Sequence, residues 1–286
     1  MISVPLNVRL ILPEDRHALT DLLPKSSYLH QHFDWLALSD YLDVGPTVLA
    51  AKGEQLIAAM SCPQLLLDST WLRLFAVRHS SALEHSWDIT WNTMQETLRT
   101  SGCNQIAAMP VDNWFRDILI RAGFTRTTDV IFLERELRND PQNPCANTAI
   151  RRIKPADLDR VLEIDNTAFQ IPWQHSKPAL QAAIQRSSYS TVYMLDDHIA
   201  GYQISTSTAL GAHLARLAVD PIFQRKGFAA DLVKDGLNHF FRLGFHAISV
   251  NTQLDNIPSQ KLYKYLGFKL MQMYYPVYSF QLSPTR

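Results

Sequence analysis

A mixed α/β sheet flanked by helices, with α+β character and built twice along one chain, is the fold class this sequence predicts. Three observations predict it. Strand-like and helix-like apolar periods alternate along most of the chain. The same local grammar returns after one domain length, with Arg9, Pro13 and Asp15 recurring as Arg151, Pro155 and Asp157, 142 residues on. Finally, 286 residues are enough for two domains of ordinary size. A repeat of that period indicates two copies of one fold rather than a solenoid, whose periods are far shorter. Residues 1–138 form the first expected domain and 149–286 the second. The polar, proline-bearing stretch 139–148 is the expected linker.

Each element follows in order. Val8–Leu12 reads as a strand, and Pro13-Glu14-Asp15 as a helix start that Leu19, Leu22 and Leu23 continue with an apolar side. Ser27 to Leu42 is expected to be helical. Lys52-Gly53 joins Thr47–Ala51 to Leu56–Ser61 as a hairpin, further strands lie within Leu65–Val77, and Leu83–Leu98 is a helix. The second copy repeats this order with a helix at Pro178–Arg186 and strands at Thr191–Leu195 and Ile199–Thr206. A strand ending at Val219, a helix on the apolar face of Leu232, Val233, Leu237, Phe240 and Phe241, and a strand at Ala247–Asn251 follow. Pro258–Leu266 is the last helix, before two short strands within Met271–Leu282.

Composition removes several function classes. Lys plus Arg and Asp plus Glu both number 27, which gives no electrostatic case for nucleic acid or an anionic membrane surface. Cys62, Cys103 and Cys145 are odd in number and lack metal-binding spacing, so a reduced, cytoplasmic chain without a bound metal is expected. No signal segment or spanning apolar run is visible.

The chemistry concentrates in Leu214–Ala230, LARLAVDPIFQRKGFAA. Asp220-Pro221 ends a strand, because proline has no N–H to give the ladder. The loop Gln224-Arg225-Lys226-Gly227-Phe228-Ala229 then runs straight into the amphipathic helix. A basic, glycine-bearing loop at a helix start leaves several amides unpaired, which is a seat for phosphate. Neither a Walker loop nor a dinucleotide fingerprint is present. A second motif, Asn256-Ile-Pro-Ser259-Gln-Lys-Leu262-Tyr263-Lys-Tyr-Leu266-Gly267-Phe268, follows the next strand.

Together the two motifs resemble the GNAT superfamily of N-acetyltransferases. Gln224, Gly227 and Ala229 match its pyrophosphate loop, and Asn256, Ser259, Leu262, Tyr263, Gly267 and Phe268 match its later signature. The resemblance implies two tandem GNAT-like domains and transfer of an acetyl group from acetyl-CoA, as co-substrate, to an amine of a small molecule or peptide. It implies a pyrophosphate on the amides of Gln224 to Ala229, assisted by Arg225 and Lys226. A pantetheine arm would lie along the strand edge at Leu217, Ala218 and Val219, with a backbone group near Leu217 facing the thioester carbonyl. Asn256 and Ser259 would hold the arm or the helix start. Tyr263 would protonate the leaving thiolate. Some relatives carry a glutamate base where this chain has Asn251. Others place the base eleven residues before the loop glutamine, where His213 stands here. An aromatic loop (Phe169, Pro172, Trp173) and Tyr274, Tyr275 and Tyr278 of a C-terminal hairpin are candidate acceptor walls, equally readable as packing. A homodimer is a further expectation that no particular residue carries.

The first copy departs from this pattern. Its tyrosine position is Leu119, its asparagine position Asp112, and Arg78-His-Ser-Ser-Ala-Leu83 replaces the glycine loop. A degenerate copy that does not bind acetyl-CoA is expected. Two other readings stay open: a non-catalytic acyl-CoA-binding or sensing protein of the same fold, and a relative that uses a bulkier acyl donor.

Overall fold

The computed structural model describes residues 6–32, 35, 44–66, 68–137 and 148–282. It divides into two compact units, Met1–Thr127 with Pro276–Arg286, and Thr128–Tyr275. These are not the halves the repeat predicts. The reason is the last strand of each repeat. Residues 128–136 belong to the second unit and 276–281 to the first. The expected linker lies almost wholly outside the described residues.

In the first unit, strands β1 (Asn7–Leu10), β2 (Tyr28–Gln31), β3 (Thr47–Lys52), β4 (Gln55–Ser61) and β6 (Leu74–Val77) form a sheet in the order β1-β3-β4-β6-β2. Strand β5 (Ser69–Trp71) runs parallel to β7 (Gln105–Ala108), whose other side takes residues 278–281 of the final strand. Helices α1 (Arg16–Leu22), α2 (Leu83–Thr100) and α3 (Asn113–Arg121) cover the sheet. Trp87, Trp91, Met94 and Leu98 of α2 fall on one face and enter the core with Phe75, Phe115 and Phe124. Tyr28–Gln31, expected to be helical, is strand β2, because its alternate residues meet the edge of β6 in register from Tyr28↔Val77 to Gln31↔Leu74. Most of the rest of that predicted helix lies outside the described residues.

The second unit has the sheet order β14-β8-β13-β12-β11-β10-β9. Its strands are β8 (Thr125–Glu136), β9 (Ile150–Arg152), β10 (Tyr189–Leu195), β11 (His198–Thr208), β12 (Gly211–Val219), β13 (Ala247–Gln253) and β14 (Lys269–Gln281). Helices α4 (Leu158–Ala168), α5 (Lys177–Arg186), α6 (Phe228–Arg242) and α7 (Ile257–Tyr265) flank it. The expected C-terminal hairpin is one continuous strand, β14, with Tyr274, Tyr275 and Tyr278 along it. Val233, Leu237 and Phe240 of α6 pack with Leu214, Ile248, Val250 and Leu133 as the core of one face. Gly244 ends α6 at φ 82°, a left-handed position that suits glycine.

The repeat is visible in bonds as well as letters. Arg9 grips Asp15 with a second N–H···O contact at 2.7 Å, and Arg151 grips Asp157 at 2.7 and 3.0 Å. In each pair the aspartate also accepts from the backbone three residues earlier, so one carboxylate fixes both the strand end and the helix start. The parallel pairings Thr70↔Ile106 and Ala212↔Ile248 are offset by the same 142 residues.

Candidate active site

The loop after β12 leaves a row of amides unused. Asp220 accepts from Ile222 N at 3.1 Å and starts the single turn Pro221–Phe223. The chain then turns through Arg225 at φ 63° and Gly227 at φ 90° before α6 begins. A left-handed arginine costs about 1–2 kcal/mol, and the gain is a concave run of N–H groups. No side chain caps α6, and its first returning bond is Asp231 N to Gly227 O at 3.1 Å. Among the described residues, the amides of Arg225 to Ala230 donate to no protein acceptor. They face a cavity of about 550 Å³. Of the eleven residues predicted to bind the donor, ten line it: Leu217, Ala218, Val219, Gln224, Arg225, Gly227, Phe228, Ala229, Asn256 and Ser259. Lys226 does not; its ammonium sits over the Phe223 ring, 5.3 Å from the centroid.

Beside this cradle the sheet opens. Strand β12 pairs with β13 only over Ala212–Leu214. Next comes Ala215, which the ladder to β11 skips: Leu214 faces Ser205, and Arg216 faces Ile204. A surplus residue of this kind bends and twists its strand. Beyond it, Asp220 N donates to Ala200 O at 2.9 Å, so by alternation the amides of Ala218 and Arg216 also point to β11. Val219 and Leu217 therefore turn their backbone groups to the open side. The Val219 carbonyl is taken by Gln224 Nε2 at 3.1 Å, which leaves the Leu217 N–H and C=O facing the wedge.

Asn256 is a helix cap as well as a cavity wall. Its Oδ1 accepts from Ser259 N at 3.2 Å, so the Ser259 amide is already spent on the protein. Tyr263 lies one residue beyond Leu262, which lines the cavity, and does not line it itself. Its ring is buried against Phe268, and burial pushes the phenol above its ordinary range. The hydroxyl makes no hydrogen bond among the described residues, yet is not one of the fully enclosed unpaired polar atoms. A protonated phenol with an unbonded oxygen is thus held in the last turn of α7, one residue beyond the cavity lining.

His213 lies on the paired part of β12, outside the cavity lining. Its Nε2 donates to Asn251 Oδ1 at 2.9 Å, and its Nδ1 is 2.9 Å from Ser249 Oγ. Burial lowers its basicity and the Asn251 bond partly restores it, so the ring is neutral at pH 7.

Sequence reasoning did not find the buried carboxylate Asp165. Arg216 Nε and Nη2 donate to it at 2.8 and 2.9 Å, His175 N at 3.0 Å, and Tyr202 adds its hydroxyl. Arg216 also donates to Trp173 O at 2.7 Å and stacks 3.5 Å from the centre of the Phe169 ring. One ion pair therefore ties the aromatic loop to β12, immediately after the surplus residue. Helical spacing places Asp165 on the same apolar face as Val161, and only a partner four elements further along the chain explains it.

An open strand edge and a bare helix start around one cavity suit an acyl thioester with a diphosphate handle. The model of the acetyltransferase (GNAT) family matches residues 158–268. A [ribosomal protein bS18]-alanine N-acetyltransferase of Haemophilus ducreyi is 30% identical over 131 residues, 45% of this chain and 89% of that protein. A tandem GNAT protein from the clavulanic acid biosynthesis pathway superposes with a TM-score of 0.64 at 13% identity, covering 98% of this chain and 100% of that one. A probable N-acyltransferase from Enterococcus faecalis V583 gives 0.74 at 10% identity, over 97% of this chain and 73% of that one. The chain belongs to the acetyltransferase (GNAT) family. It is an acyltransferase of tandem GNAT fold, in a family that uses acetyl-CoA. No helix among the described residues is long and apolar enough to cross a membrane.

Proposed function

We propose that the second unit transfers an acetyl group from acetyl-CoA to a primary amine, and that the acceptor is a peptide N-terminus. The bare amides of Arg225 to Ala230 beside an unpaired strand edge carry this reading. The acceptor class follows from the Haemophilus relative, whose name gives an alanine as the group acetylated. An alanine within a protein has only its α-amine to offer. The cytoplasm, where ribosomal proteins are made, is the compartment that suits such a substrate.

The donor supplies an acetyl group already activated as a thioester. Amides of the 225–230 loop and the Arg225 guanidinium hold its phosphates, and the Leu217 backbone pairs with its amide-bearing arm. The Leu217 N–H also donates to the thioester carbonyl as negative charge gathers there. With Nε2 held by Asn251, the basic lone pair of His213 is on Nδ1, and the Ser249 hydroxyl passes the ammonium proton to it. The freed amine forms the N–C bond as the C–S bond breaks, and Tyr263 protonates the departing sulfur. Asn251 and Arg216 position rather than react.

The first unit serves as scaffold. Strand β2 occupies the edge of β6 that corresponds to the open edge of β12, and the loop before α2 caps its own amides, Ala82 N to His79 O and Leu83 N to Ser80 O.

Thiol release with trialanine amide as acceptor tests the scheme. Wild type turns over, and Tyr263→Phe lowers kcat by about 100-fold or more. The acid limb of kcat/KM lies below pH 6.5, because the His213 pKa is lowered from that value, and it disappears in His213→Ala. A wild-type chain that binds acetyl-CoA and releases no thiol with any amine is instead the binding protein.

A further inference from the structure

Two strands from β12 runs a strip of sheet that the repeat pattern assigns to the first half and that lies in the second compact unit. Strand β8 lies between β13 and β14, and its residues 130–136 pair with β13 from Val130↔Gln253 to Glu136↔Ala247. One row across the sheet therefore runs His213, Ser249, Glu134. The next row sets Asn251 against Phe132. Residues directly opposite in an antiparallel pair share a face, with Cβ atoms about 4.5–5.5 Å apart. Ile131 and Leu133 point the other way into the core with Ile248 and Val250, which leaves Glu134 exposed on the His213 face. Phe132 is edge-on to Tyr275 of β14, 5.7 Å between ring centres, and walls that face.

We propose that Glu134 is the specificity-determining anion of the acceptor site: it receives the incoming ammonium beside His213 and Ser249. The assignment rests on the amine-transfer reading above. Three observations carry it. A cationic amine needs a negative group near the reacting centre, and neither the neutral His213 nor Asn251 supplies one. Glu134 is two strand spacings, about 10 Å, from β12, in the last row on its face of the sheet before the wedge opens. Its carboxylate makes no ion pair or hydrogen bond of its own among the described residues, so its charge is available to a ligand. A strand from the first repeat thereby completes the acceptor site of the second.

Steady-state kinetics with trialanine amide test this, with acetyl-CoA binding measured by calorimetry on the same proteins. Glu134→Gln is expected to raise the acceptor KM at least tenfold with kcat changed less than threefold. Acetyl-CoA affinity stays at the wild-type value, which also verifies folding. Glu134→Asp recovers part of the loss, and Glu136→Gln, on the same face but one row further from the wedge, leaves KM unchanged. Equal acceptor KM in Glu134→Gln and wild type overturns the assignment while leaving the transferase intact. Equal losses in Glu134→Gln and Glu136→Gln overturn it too, since they reduce the effect to general surface charge. A wild type that binds acetyl-CoA but acetylates no amine removes the transferase reading and this assignment together.

Discussion

His30 sits 3.8 Å from Phe115, ring stacked on ring, and burial drives its pKa down to about 4. His32 is displaced in the same direction, and its Nδ1 is buried without a partner among the described residues. The sign follows from linkage. The unfolded chain binds protons at these rings near pH 6.5, whereas the folded chain refuses them until about pH 4 for His30. Stability is whole above pH 6.5 and falls as the pH drops from there, by about 1.4 kcal/mol per unit from His30 alone. Urea melts of wild type and His30→Phe between pH 7 and pH 4.5 check this, and the variant shows the shallower slope. At this scale the sequence was legible where a residue acts through its own backbone. Gly227 and Asn256 declared themselves because a left-handed turn and a helix cap need those residue types. Asp165 and Glu134 stayed hidden, since one needs Arg216 and the other Ser249, and neither partner is near in sequence.

Elements were legible where one period ruled. The helix Phe228–Arg242 and the strand before it lie where the apolar pattern put them. Tyr28–Gln31 misled because its aromatic run suits either state, and only the vacant edge of β6 decides for strand. The C-terminal stretch misled as well: two short strands were expected within Met271–Leu282, yet thirteen residues run on as β14, with Pro276 among them. Strand position also sets the width of the donor site. A Cβ added at Gly201 would lie 2.8 Å from Ala218 O and 2.9 Å from Val219 Cγ2, where the backbone of β12 has to yield. Gly201→Ala is expected to cost about 1–3 kcal/mol and to weaken acetyl-CoA binding several-fold. Thermal melts with and without acetyl-CoA measure both, and an unchanged ligand-induced Tm shift refutes the coupling.

The duplication itself was plain in the whole chain, down to the paired Arg–Asp clamps, but the boundaries of the compact units were not. Residues 128–136 of β8 and 276–281 of β14 belong to the unit other than that of their own repeat, and sequence similarity cannot reveal such an exchange because each strand keeps its repeat's letters. Two outcomes follow. A fragment of residues 149–286 lacks β8, an interior strand of its sheet, and is expected to show no cooperative melt, whereas 128–275 retains one. Calorimetric titration of the full chain with acetyl-CoA is expected to give one site, because among the described residues only the second unit has a bare loop beside an open edge. Two equivalent sites would contradict that.

Ala215 is the one residue in this stretch of β12 without a counterpart across the ladder. Deleting it would bring Arg216 next to Leu214 in an unbroken ladder, each still opposite its present partner on β11, and would remove the bend that a surplus residue puts into a strand. A straighter β12 would keep closer company with β13 beyond Leu214, and the wedge beside Leu217 would narrow. On the proposed chemistry, the berth for the thioester accordingly hinges on a count of residues in one strand.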